Sequence, residues 1–104
     1  MSFAEFTASV ARDFQPPEDL PTALRALWHD ARGDWTVAHT LAQEEEDGER
    51  GAWVHAYLHR KEGDNQNAGY WYAKAGRSRP DDDMTPRGEW EQIARELLGE
   101  RQPA

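Results

Sequence analysis

The stretch W-V-H-A-Y-L-H-R-K-E-G-D-N-Q-N-A-G-Y-W-Y, residues 53–72, decides how the rest of the chain is read. Trp53, Val54, Tyr57 and Leu58 recur at the three- and four-residue intervals of a helical face. Gly63 supplies a left-handed stop, and Asp64 an acceptor for the first amides of a new helix. Ala68, Trp71, Tyr72 and Ala75 then mark a second apolar face. The pattern predicts a helix over about 51–62, a Gly-Asp turn and a second helix. His55, His59 and Glu62 share another side of the first helix, at i, i+4 and i+7.

Working outward, L-W-H-D-A-R-G-D-W-T-V-A (27–38) aligns without a gap on Y-L-H-R-K-E-G-D-N-Q-N-A (57–68). Trp28 matches Leu58, His29 matches His59, Gly33-Asp34 matches Gly63-Asp64, and Ala38 matches Ala68. The chain therefore reads as two helix–turn–helix units, about 21–45 and 50–76. Such units cannot bury their apolar faces alone, so they are expected to stack. Pro21 suits a first helical turn, and Leu20, Leu24, Leu27, Trp28 and Ala31 form an apolar side. Trp35, Ala38, Leu41 and Ala42 continue a third helix over about 35–45, capped by Asp34.

Two flanking helices complete the reading. Phe3, Phe6, Val10 and Phe14 fall on one helical face, and Ser2 with Glu5 matches a capping box, so a helix is predicted over about 2–14. Q-P-P-E-D-L-P (15–21) ends it, because proline lacks the amide donor. Thr85-Pro86 opens a sixth helix with Trp90, Ile93, Ala94, Leu97 and Leu98, closed by Gly99. No segment reads as a strand. The expected fold is all-α: one domain over 1–104, about six helices, with two stacked hairpins between N- and C-terminal capping helices. The phenyl stripe of the first helix either caps the stack or joins a homodimer.

The second unit resembles a tetratricopeptide-type hairpin. Gly63-Asp64, Ala68, Tyr72 and Ala75 are similar to that family's turn and second helix, and Ala56 stands where the family places a small residue. The likeness covers 50–76 well and 21–45 more loosely. The offset between units, about 30 residues, is shorter than the family's period of about 34. The resemblance implies peptide or protein binding along the surface of the first helices. It also implies that His55 and His59 stand where apolar residues are usual. The string around 53–72 is further similar to a set of small bacterial and fungal proteins, a likeness that assigns no role to any residue.

Composition narrows the function classes. The formal charge is −8, which repels nucleic acid, and no partner of that kind is expected. Arg60, Lys61, Lys74, Arg77 and Arg79 read as a solvated basic rim, and E-E-E-D-G-E (44–49) and D-D-D (81–83) as solubilising loops. The absence of cysteine excludes disulfides and thiolate chemistry. No apolar run is long enough to span a membrane, and no secretory leader is present, so a cytoplasmic location is expected. There is no phosphate loop, no G-x-S-x-G elbow and no nucleophile context around Ser2, Ser9 or Ser78. The five tryptophans read mainly as core.

The histidines leave three readings open. One is structural, with imidazoles hydrogen-bonded inside the packing. The second is a ligand-binding seam between the hairpins, formed by Arg25, His29, His55, His59, Glu62, Asn67 and Trp71. It would take a protein, a peptide or a small anionic ligand. The third is a divalent metal on His55, His59 and Glu62, completed by His29 or His39, since i and i+4 side chains can share an ion. The metalloprotease pattern H-E-x-x-H is absent. The preferred reading is a small non-enzymatic binding module with no cofactor beyond a divalent metal. The alternative is a metal-binding protein or metal-dependent hydrolase.

Overall fold

A computed structural model describes residues 1–45 and 47–99. Glu46, within the acidic run 44–49, lies outside the described residues. Six helices follow in order: α1 Phe3–Arg12, α2 Thr22–Ala31, α3 Trp35–Glu44, α4 Glu49–Glu62, α5 Asn65–Lys74 and α6 Pro86–Leu97. No strand occurs among the described residues.

Local chemistry sets the helix ends. The Ser2 hydroxyl accepts from the Glu5 amide while the Glu5 carboxylate accepts from the Ser2 amide, completing the capping box. Asp34 and Asp64 cap α3 and α5 identically, each accepting from the amide three residues on, at 3.2 Å. Thr85 caps α6 with Pro86 in its first turn. Gly33 and Gly63 both adopt the left-handed conformation, at φ +83° and +90°. The following amides bond back to His29 and His59 carbonyls in the same way. The two repeat units thus share one turn.

α2 packs on α3 and α4 on α5, and α3 against α4 joins the pairs. α2 and α6 also pack on α4. This surrounds α4, and every residue from Gly51 to His59 is buried. Alanines line the junctions: Ala38, Ala42, Ala56 and Ala68 are fully buried. Gly51 permits the closest approach, since a Cβ there would lie 2.2 Å from the Glu45 carbonyl oxygen.

Burial of α4 also buries polar groups, and these find partners on neighbouring helices. Tyr57 donates to Asp30 of α2 at 2.6 Å, and Lys61 donates to the other oxygen of that carboxylate at 2.9 Å. Arg60 donates to Glu89 of α6 at 2.9 Å and to the Met84 carbonyl, while Tyr72 of α5 donates to Glu89 at 2.5 Å. Asp30 and Glu89 are both buried. Burial first, then the adjoining carboxylate, pushes both tyrosine hydroxyls far above their usual range.

Lys61, Lys74, Arg77 and Arg79 are exposed, as a solvated rim requires, and Arg60 alone of the basic cluster is drawn inward. Arg60 and Lys61 are held by buried carboxylates, Arg77 lies over the Trp53 ring and pairs with Glu96, and Arg79 meets Asn65. Three indole N–H groups cross between helices: Trp28 to Ser9, Trp35 to the Leu58 carbonyl, and Trp90 to the Leu27 carbonyl. Phe3 and Phe6 pack on Trp90, so α1 covers α6 as a cap. Phe14 departs from the predicted stripe. α1 ends at Arg12, ahead of Pro16-Pro17, and leaves Phe14 96% exposed.

The two classes of ion pair separate experimentally. Glu89→Ala strands the Arg60 charge and the Tyr72 hydroxyl and should cost roughly 3–5 kcal/mol. Glu96→Ala removes a surface pair and should cost under about 1 kcal/mol. Urea denaturation of both variants checks the contrast.

Candidate functional site

Three imidazoles meet where the two hairpins join. His39 comes from α3, and His55 and His59 from successive turns of α4. One ring nitrogen from each lies within 4.8 Å of the others. His39 Nε2 and His55 Nε2 are 3.0 Å apart. His55 and His59 stack at 4.8 Å between ring centroids, and His39 meets each edge-on, at 4.7 and 5.1 Å.

Aromatic walls hold these rings. Trp35 stacks on His39 at 4.8 Å and is itself fixed by its bond to the Leu58 carbonyl. Trp71 of α5 stacks on His55 at 4.0 Å. His55 and His59 are only 2% and 7% exposed, while His39, Trp35 and Trp71 are half-buried. The cluster is therefore built into the interior and reaches the surface along the His39 edge.

A carboxylate orients the third ring. Glu62 Oε1 lies 2.8 Å from His59 Nδ1, so Nδ1–H donates to the carboxylate and Nε2 is turned away from it. Burial lowers the pKa of His39, with His59 adding to the effect and Glu62 opposing it. Burial, then His39 and His59, lowers His55 to about 4. Both shifts favour the neutral rings at pH 7, and in the 3.0 Å contact one Nε2–H donates to the other Nε2.

The arrangement leaves an unsatisfied atom. Whichever ring donates between the two Nε2 atoms, His55 Nδ1 is buried without a hydrogen-bond partner. Buried polar atoms are normally paired, so this nitrogen is an exception in the cluster.

The residues anticipated from sequence divide. His55, His59, Glu62 and Trp71 come together at this point. Arg25 does not join them: its Nη2 donates to Thr22, and its Nε has no partner. His29 sits edge-on to Trp28 and makes no ring contact with the cluster. Asn67 bonds to Asp64 at the start of α5. Glu62 faces the outer nitrogen of His59 instead of the three-nitrogen centre, although His59, Glu62 and Asp64 also lie close together at the exposed turn. His39 takes the place that the repeat alignment offered to His29. Its signal in the sequence is position i+4 from Trp35, one residue after the fully buried Ala38. Trp35, read from sequence as core, is a wall of the site.

A surface cavity of about 870 Å³ lies elsewhere, along Trp53, Arg77 and Glu89. Two of its charged groups pair with neighbouring side chains, Glu89 with Arg60 and Arg77 with Glu96. Among the described residues, no helix is long and apolar enough to cross a membrane. No model of a known family matches the chain, and neither a curated protein nor a solved structure is similar to it.

The low His55 pKa makes stability depend on pH. An unfolded imidazole binds its proton near pH 6.5, whereas the folded one waits until about 4. The contribution is full above 6.5 and is lost as pH falls towards 4, because the unfolded state then binds the extra proton. The expected loss is roughly 3 kcal/mol. His55→Phe, which keeps a stacked ring, should show a correspondingly shallower decline in urea-denaturation stability between pH 7 and 4.

Proposed function

We propose that this protein binds a divalent transition-metal ion, zinc being the best fit, through His39, His55 and His59. The observation that carries this reading is the 3.0 Å approach of two Nε2 atoms beside a third buried imidazole. Two nitrogens about 2.0–2.1 Å from a tetrahedral zinc ion lie roughly 3.3 Å apart. His39 and His55 are thus spaced as a ligand pair, and the His59 nitrogen lies within 4.8 Å of both. Neutral imidazoles suit zinc, copper, nickel and iron, whereas calcium and magnesium prefer oxygen donors. Glu62 on His59 Nδ1 supplies the outer carboxylate that fixes ring orientation and raises basicity.

The polar seam expected from sequence narrows, in this reading, to α3, α4 and Trp71 of α5, without Arg25 and His29. The ion would bridge the first hairpin, through His39, to the second, through His55 and His59. Such a bridge stabilises the docked hairpins by its binding free energy.

Calorimetric titration of the metal-free protein with zinc tests the proposal. One equivalent should bind with a Kd of about 1 µM or tighter. His39→Ala, His55→Ala and His59→Ala should each weaken binding by at least about 100-fold, and Glu62→Gln by about 10-fold. His29→Ala should leave it unchanged. Circular dichroism must show each variant folded. A folded wild type that takes up no zinc, or equal weakening by His29→Ala, removes the site.

A further inference from the structure

We infer that the fourth coordination position of this metal is open to solvent and takes a small monoanion, hydroxide or an anion of similar size. The inference rests on the metal reading above. Among the described residues, only three ring nitrogens converge at the centre. The nearest carboxylates are committed elsewhere: Glu62 to His59 Nδ1, and Asp64 to the Asn67 amide and side chain. A tetrahedral ion held by three protein nitrogens therefore completes its shell with an external ligand.

Burial decides where that ligand enters. His55 and His59 are enclosed, so the approach lies along the half-buried His39 edge, between the half-buried Trp35 and Trp71 rings. Charge decides what it is. Three neutral imidazoles leave the ion's two positive charges uncompensated, and Glu62 offsets one of them through His59. The Lys74 ammonium, 5.0 Å from the Trp71 ring centre, adds positive charge to the same rim. One further negative charge balances the centre. Size follows from the walls: Trp35, stacked on His39 at 4.8 Å, and Trp71, stacked on His55 at 4.0 Å, flank the approach, which favours a ligand of a few atoms over an aromatic one.

Cobalt(II) reports this directly, because its visible bands change with coordination number and ligand. The cobalt-loaded wild-type protein, titrated with sodium azide, should show a saturable change in its visible spectrum. The same titration with sodium benzoate should leave the spectrum unaltered. A normal cobalt spectrum that azide does not perturb overturns the inference while leaving the metal site intact. Benzoate binding as tightly as azide overturns the size restriction. Failure to bind cobalt at all removes both the site and its fourth ligand. Trp71→Leu, which lowers the wall beside His55, should admit benzoate if the variant still binds cobalt. Continued exclusion of benzoate by that variant overturns the role of Trp71.

Discussion

Everything in this fold answers to the enclosure of α4. A helix packed on by four others has no solvent face along its middle turns, yet this one carries His55, Tyr57, His59 and, at its end, Arg60. Each must meet a partner, because a buried polar group without one costs as much as a lost hydrogen bond or more. Asp30 on α2, His39 on α3 and Glu89 on α6 meet Tyr57, His55 and Arg60, Tyr72 of α5 shares Glu89, and His59 turns to Glu62 at the end of its own helix. The arrangement of the bundle is specified by these pairings as well as by apolar packing.

The histidine cluster is the part of that network where pairing is incomplete. Asp30 and Glu89 each receive two donors, so their buried charge is satisfied. Three imidazoles instead face one another with a carboxylate on the outer nitrogen of one ring. Within the network around α4, His55 Nδ1 is the buried side-chain atom left without a partner.

Local features were legible from sequence because they depend on neighbours in the chain. The capping box at Ser2 and Glu5, the Asp34 and Asp64 caps and the left-handed Gly33 and Gly63 involve residues within a few positions of each other. The i, i+4 spacing likewise brought His55 and His59 together. Phe14 was misread because apolar periodicity continues past Asp13, whereas the helix does not. Arg60 was misread because its partner lies 29 residues away on α6. Of the two histidines expected to complete the set, His39 joins it and His29 stays apart for a similar reason. The repeat alignment equates His29 with His59, but the two face different neighbours: α4 follows a complete hairpin and meets α3, whereas α2 follows only α1. Equivalence in the repeat fixed the turn and left the surroundings open.

The junction between hairpins has a kinetic meaning. His39 belongs to one pair of helices, His55 and His59 to the other, with Gly51 tight against Glu45 at the joint. No pair of rods holds the whole nitrogen set by itself. Opening of that joint would separate His39 from His55 and His59 while each helix pair stayed whole. Contact between the rings thus becomes a gauge of how firmly the two halves of the chain are clasped.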